Sequence, residues 1–192
     1  WNGRVYAIGG FNGGSALAGV ESAAVLSNGS LGLWRNETVM SNARYGLGAS
    51  VWNGRVYVLG GYDGTNYLNS IESAKINADG SLGSWRNETS MLLNRYGVSA
   101  VVWTDRLYGV GGFDGANYLA SIESASILSN GSIGVWRNET SISANRRFHS
   151  TVVLNSGFFV VGGDSGTANL SAVLSAGILF NGSIGAWRTE TS

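Results

Sequence analysis

The stretch that decides the fold is residues 55–61, Arg55-Val56-Tyr57-Val58-Leu59-Gly60-Gly61. A short β-branched and aromatic run ends at a glycine pair that punctuates the strand. The same stretch returns at a fixed step. Gly9-Gly10, Gly60-Gly61, Gly111-Gly112 and Gly162-Gly163 stand 51 residues apart, and Tyr6, Tyr57, Tyr108 and Phe159 precede them in register. Trp34, Trp85, Trp136 and Trp187 form a second ladder with that step, and Trp1, Trp52 and Trp103 a third, with Leu154 in the fourth place. A long fixed period means one supersecondary unit copied in tandem, each copy burying its apolar face on the next. The first two copies agree at more than half of their positions.

Outward from the double glycine, each copy reads as four strands. Ser70-Ile71-Glu72-Ser73-Ala74-Lys75-Ile76 alternates apolar and polar, the period of a half-buried strand. Asp79-Gly80 is a tight-turn signal. Ser84-Trp85-Arg86-Asn87-Glu88-Thr89 reads as an outer strand, and the apolar linker Tyr96-Gly97-Val98-Ser99-Ala100-Val101-Val102 as the inner strand of the following copy. No helical periodicity of useful length interrupts them. Short strands at this spacing predict an all-β protein, and a four-stranded sheet repeated in tandem predicts a propeller blade.

The residues also point to a family. Arg146-Arg147-Phe148-His149-Ser150-Thr151-Val152-Val153, then Gly157-Phe158-Phe159-Val160-Val161-Gly162-Gly163, then Trp187, resembles the kelch repeat. That resemblance implies an inner strand after an Arg, a second strand ending in a double glycine, a Tyr near that pair and a Trp on the outer strand. It covers the whole chain, although the linkers lack the usual Pro. It implies a fold that occurs in binding proteins, in scaffolds and in a few enzymes. The expectation is a single kelch-like β-propeller domain, or propeller segment, over residues 1–192. Its four recognisable blades fall at about 1–38 (lacking its inner strand), 43–89, 94–140 and 145–192.

Four full copies would take 204 residues, and the chain has 192. It begins where an inner strand should have ended and stops before another should begin. Three readings are open: a piece of a longer propeller or array, a four-bladed ring completed by a neighbour's strand, or a ring that tolerates the gap. An unpaired blade edge would be a template for self-association.

Formal net charge is zero and 12% of residues are charged, so no basic field is present to attract nucleic acid or an anionic membrane. No apolar run is long enough to span a bilayer. The absence of Cys excludes disulfides and thiolate chemistry. One His and no Cys also leave no basis for the copper chemistry of a galactose-oxidase-like propeller. The double glycines are not followed by Lys-Ser/Thr or a helix, so they are read as strand ends that permit close blade packing rather than as a phosphate loop. No cofactor or metal is expected.

Asn-x-Ser/Thr occurs at Asn28, Asn36, Asn87, Asn130, Asn138, Asn169 and Asn181. Asn28, Asn130 and Asn181 precede Gly and align with Asp79-Gly80, so turn chemistry accounts for them. Asn36, Asn87 and Asn138 follow the outer-strand Trp at the blade rim, where an N-glycan would be solvated. Glycosylation there implies an extracellular or cell-surface protein.

Glu21, Glu72 and Glu123 recur, and a triplicated acid reads as a hydrogen-bonding or surface residue rather than a catalyst. Arg44, Arg95 and Arg146 read as anchors of the inner strand, with acidic-sugar binding near the axis as the functional alternative. Asymmetry is concentrated late, where Arg147, Phe148 and His149 depart from the earlier copies and Asp164 replaces an aromatic. A special site would use His149 as acid, base or ligand with Asp164 as its carboxylate partner; the plainer reading makes His149 the ordinary kelch His. Uniform blades and rim sequons predict a non-enzymatic extracellular structural or interaction module, plausibly a repeating N-glycosylated subunit of a surface layer or fibre. The alternative is a propeller that binds carbohydrate or protein, and a glycan-acting enzyme stands further off.

Overall fold

The computed structural model describes residues 1–190, all of them in strands, turns and loops. Blade 1 holds β1 (Arg4–Ile8), β2 (Val20–Ala24) and β3 (Arg35–Asn36). Blade 2 holds β4 (Gly48–Trp52), β5 (Arg55–Leu59), β6 (Ile71–Ile76) and β7 (Leu82–Glu88). Blade 3 holds β8 (Ser99–Trp103), β9 (Arg106–Val110), β10 (Ile122–Ser126) and β11 (Arg137–Glu139). Blade 4 holds β12 (Ser150–Leu154), β13 (Gly157–Val161), β14 (Val173–Gly177) and β15 (Arg188–Thr189). Every blade is an antiparallel meander with its strands in sequence order. The inner strands β4, β8 and β12 lie side by side, so successive blades fan out from a common centre. The inner hairpins of blades 2 and 4 close through two residues at positive φ, as at Asn53 (43°) and Gly54 (70°), which is the turn that matches strand twist.

The core lies between blades. Three apolar layers fill the interfaces of blades 1–2, 2–3 and 3–4, and the middle one packs Tyr57, Leu59 and Ile71 against Leu107, Ala125, Ile133 and Trp136. A repeated set of hydrogen bonds crosses each layer. Tyr6, Tyr57 and Tyr108 donate their hydroxyls to the carbonyls of Gly80, Gly131 and Gly182 in the next blade, at 2.7, 2.9 and 2.6 Å. The indole Nε1 of Trp85, Trp136 and Trp187 donates back to the carbonyls of Thr38, Thr89 and Thr140 at 2.8–3.0 Å. The threonine hydroxyls donate forward to Leu82, Ile133 and Ile184.

The double glycine makes the closest approach. Gly61 N donates to the Arg95 carbonyl of the next blade at 2.8 Å, and Gly10 and Gly112 do the same to Arg44 and Arg146. A Cβ at Gly60 would sit 2.3 Å from the Arg95 carbonyl oxygen, with φ at +61°. No other residue fits both the contact and the dihedral. The glycine pair is thus a packing device.

One placement breaks the repeat. The four ladder tryptophans are equivalent in sequence, but Trp136 is 4% exposed and Trp34 is 45% exposed. No described residue covers the face of blade 1 on which Trp34 lies, so its indole lacks the neighbour that the other three have.

Trp136→Ala is expected to cost ~3–5 kcal/mol through the cavity it leaves. Trp34→Ala should cost clearly less. Chemical denaturation of both variants checks the ordering.

Candidate functional site

The recurrent arginines are interior groups. Arg44 and Arg95 are fully buried and pair with Glu72 and Glu123 at 2.7 and 2.8 Å, both carboxylates also fully buried. Arg44 Nη1 donates to Gly60 O at 2.9 Å and Arg95 Nη1 to Gly111 O at 2.6 Å, which ties each inner-strand entrance to the double glycine of its own blade. Glu72 accepts from the backbone of Ser41 and Asn42, and Glu123 from Leu92 and Leu93. Burial pulls both guanidinium groups below their ordinary value and the adjacent carboxylates oppose it. Glu21, with no such arginine, is exposed. Arg146 is buried in blade 4, and a solvent-borne sugar meets none of these three guanidinium groups at the surface.

His149 is also buried, and neither ring nitrogen has a hydrogen-bond partner among the described residues. Burial, and then the charge of Arg146, push it down to about 4. Asp164 is not its partner. The Asp164 carboxylate accepts from Arg147 Nε at 3.0 Å, so the proposed His149–Asp164 pair is replaced by an Arg147–Asp164 pair. The side chains divide this way because Arg147 faces the outer end of the strand entrance while His149 turns inward over Gly111, whose Cβ would lie 2.8 Å from its ring.

The structure gathers a site that this residue-by-residue reading missed. At the end of the blades where the inner strands begin, blades 2, 3 and 4 each carry a short cross-strand row: Tyr45–Tyr62–Tyr67, Tyr96–Phe113–Tyr118 and Arg147–Asp164–Asn169. The rows of neighbouring blades meet. Ring centroids lie 5.0 Å apart for Phe11–Tyr45, 5.5 Å for Tyr45–Tyr96, 5.3 Å for Tyr67–Phe113 and 5.1 Å for Tyr96–Phe148. Most are edge-to-face contacts, the geometry that ring quadrupoles favour. Phe11 and Phe148 are half exposed, and the hydroxyls of Tyr45, Tyr62, Tyr67 and Tyr96 make no hydrogen bond to a described residue.

One cation stands in this belt. The Arg147 guanidinium lies 4.8 Å from the Tyr118 ring centre, 5.2 Å from Phe148 and 5.7 Å from Tyr96 and Phe113. Rings and Asp164 together hold it in one orientation. Beside it, Phe148 has φ +54° at a place where Gly46 and Gly97 have +61° and +67°. A bulky residue in that region is strained by ~1–3 kcal/mol, and such strain collects at binding sites. The sequence signal was present as recurrent aromatics on both sides of the double glycine.

All seven sequon asparagines are exposed. Asn36, Asn87 and Asn138 lie on or beside the outermost strands, opposite Glu21, Glu72 and Glu123. Asn28, Asn130 and Asn181 use Oδ1 to accept from the backbone of Ser30, Ser132 and Ser183, the Asx turn expected of them. The clefts at the far end of the blades recur at each interface around these turns, as where Trp52 and Arg55 face Asn130-Gly131.

Residues 43–73, from the entrance of Arg44 through the double glycine to Glu72, match the kelch motif. The match covers one repeat of the four, and the fold around it is a four-bladed β-propeller. Kelch propellers are generally non-enzymatic folds of protein and ligand interaction. Among solved structures, that of YjhT is similar, with a TM-score of 0.76 at 14% identity, and the likeness is one of fold. It covers 100% of this chain and 62% of the YjhT chain, so this chain spans less than two thirds of the length of that protein. No curated protein matches it in sequence.

Neutral in the fold and protonated at its ordinary value near 6.5 once unfolded, His149 supports stability above about pH 6.5. That support is lost as pH falls towards 4. The expected loss is of order 3 kcal/mol. His149→Val, which copies Val98 of blade 3, should fall less in unfolding free energy between pH 7 and 4.5 than the unmodified chain.

Proposed function

We propose that the protein is a non-enzymatic, extracellular interaction propeller that binds carbohydrate on its aromatic belt. The observation that carries this is the run of partly exposed rings from Phe11 to Phe148, with free tyrosine hydroxyls and one Arg147–Asp164 pair. Sugar rings present C–H faces to aromatic planes and hydroxyls to hydrogen-bonding groups, and the belt offers both kinds of partner. Its one cation, Arg147, is paired with Asp164, and the Asp63 and Asp114 carboxylates of the adjoining turns are engaged by backbone N–H groups, which suits an uncharged, hydroxyl-rich ligand better than a strongly charged one. The rigid scaffold beneath supports a preformed surface.

The extracellular reading rests on the N-glycosylation sequons at Asn36, Asn87 and Asn138, whose exposure on the outer strands leaves them accessible to modification. Peptide mapping with and without glycosidase treatment of material from a secreting eukaryotic host should find all three occupied; three bare asparagines would remove that support. A second reading, a repeating subunit of a surface layer or fibre, is favoured by the close match between the contacts of successive interfaces. Electron microscopy of native material separates it from a discrete binding module.

On an immobilised panel of neutral glycans, the chain should retain at least one class. Tyr96→Ala and Phe148→Gly should each weaken that binding by roughly tenfold or more, about 1.4 kcal/mol. Unchanged binding in both folded variants, or capture of peptides alone, would set carbohydrate recognition on the belt aside.

A further inference from the structure

Blade 4 keeps an arginine and lacks its acid. Glu72 pairs in the sheet with Val58, Glu123 with Gly109, and Leu174 with Val160, so Leu174 stands where the other blades have glutamate. Arg146 nevertheless holds the pose of its counterparts. Its Nη1 donates to Gly162 O at 2.8 Å, as Arg44 donates to Gly60 O, and its Nε lies 3.4 Å from Ala144 O, as that of Arg44 lies 3.5 Å from Asn42 O. Arg146 is 1% exposed and Leu174 2%. The Nη2 group, which meets the glutamate in blades 2 and 3, has no acceptor among the described residues.

Two backbone donors are left over in the same place. In blade 2 the Glu72 carboxylate accepts from Ser41 N at 2.7 Å and Asn42 N at 3.1 Å, and in blade 3 Glu123 accepts from Leu92 N and Leu93 N. The corresponding groups of blade 4 are Ser143 N and Ala144 N, and neither donates to any described residue. Blade 4 therefore offers one guanidinium, almost wholly buried but with its Nη2 reaching solvent, and two partly exposed N–H groups with no anion. A buried charge without its partner is strongly unfavourable, so the site favours a compensating negative charge.

We propose that blade 4 binds a small inorganic anion, of halide size, between Arg146 Nη2 and the backbone of Ser143 and Ala144. The size follows from covalent structure. Leucine lacks the two carboxylate oxygens that reach beyond the δ carbon but carries a second δ methyl, so the substitution removes the acceptors while freeing little volume. Only a small monatomic anion, rather than an organic acid, suits so tight a place. Ser143 is exposed, which gives the ion a route from solvent. His149, three residues on, is neutral and neither competes for the ion nor replaces its charge. The site is separate from the aromatic belt and independent of the proposal made for it.

The test is thermal unfolding of the chain at 1 and 300 mM chloride, with ionic strength held by gluconate. The expected result is a chloride-dependent rise in Tm of about 2–4 °C in the unmodified chain. Leu174→Glu, which restores the missing carboxylate, should start from a higher Tm and lose that dependence. Equal responses of the two proteins, or none in the unmodified chain, would overturn the proposal. Should Leu174→Glu fail to fold, crystals of the unmodified chain soaked in bromide decide the matter. An anomalous peak within hydrogen-bonding distance of Arg146 Nη2 supports the site, and its absence there overturns it.

Discussion

A four-stranded antiparallel blade has two apolar faces and no core of its own. Every stabilising layer in this molecule is therefore an interface between blades, and each must place two sheets at one fixed separation and rotation. Apolar contact alone is non-directional. The direction comes from a few polar devices repeated at each interface: the tyrosine hydroxyl on a turn glycine, the tryptophan indole on a threonine carbonyl, and the double-glycine N–H on the carbonyl of the next arginine. The glycine contact sets the separation, because any Cβ there would collide with backbone. The long side chains of tyrosine and tryptophan set the rotation. A further acid serves the same end: Glu88 accepts from Ser73 and Arg86 within its blade and from Ile133 N of the next.

Those constraints also build the belt. The residue after each buried arginine and the residue after each double glycine are held at the same end of the blade by the packing beneath them. Repetition brings Tyr45, Tyr62, Tyr96 and Phe113 into one surface with no specific contact having to arise for it. Blade 4 breaks the pattern with Arg147, Asp164 and a strained Phe148, and so gives an otherwise repetitive surface one distinguishable place. The departures in the same blade at Leu174 and His149 are interior, where they change charge balance rather than surface chemistry.

The fold was legible because its signals are periodic. The run Arg55–Leu59 is read from the sequence with the bounds it has as β5, and the glycine pair at its end does what its lack of a Cβ suggests. The turn at Asp79-Gly80 was equally plain, but not that its glycine carbonyl receives Tyr6 from another blade. A contact across a full repeat leaves no mark in local pattern. The late asymmetry is visible in the sequence, and of its two readings the pairing of His149 with Asp164 is the one that the geometry replaces. Asp164 and His149 stand fifteen residues apart, and only the cross-strand pairing of Arg147 with Asp164 shows which side chain meets the carboxylate. The recurrent arginines read as anchors of the inner strand with ligand binding as the alternative, and their burial decides for the anchor.

The central proposal is that the aromatic belt is where a carbohydrate meets this propeller. Hydroxyl-radical footprinting of the free chain and of its complex with a retained glycan tests it directly. Protection should fall on Tyr45, Tyr62, Tyr96 and Phe148, while Tyr57 and Tyr108, buried between blades, stay unlabelled in both states. Protection confined to the turn end of the blades, around Trp52 and Trp103, with the belt labelled as before, would contradict it.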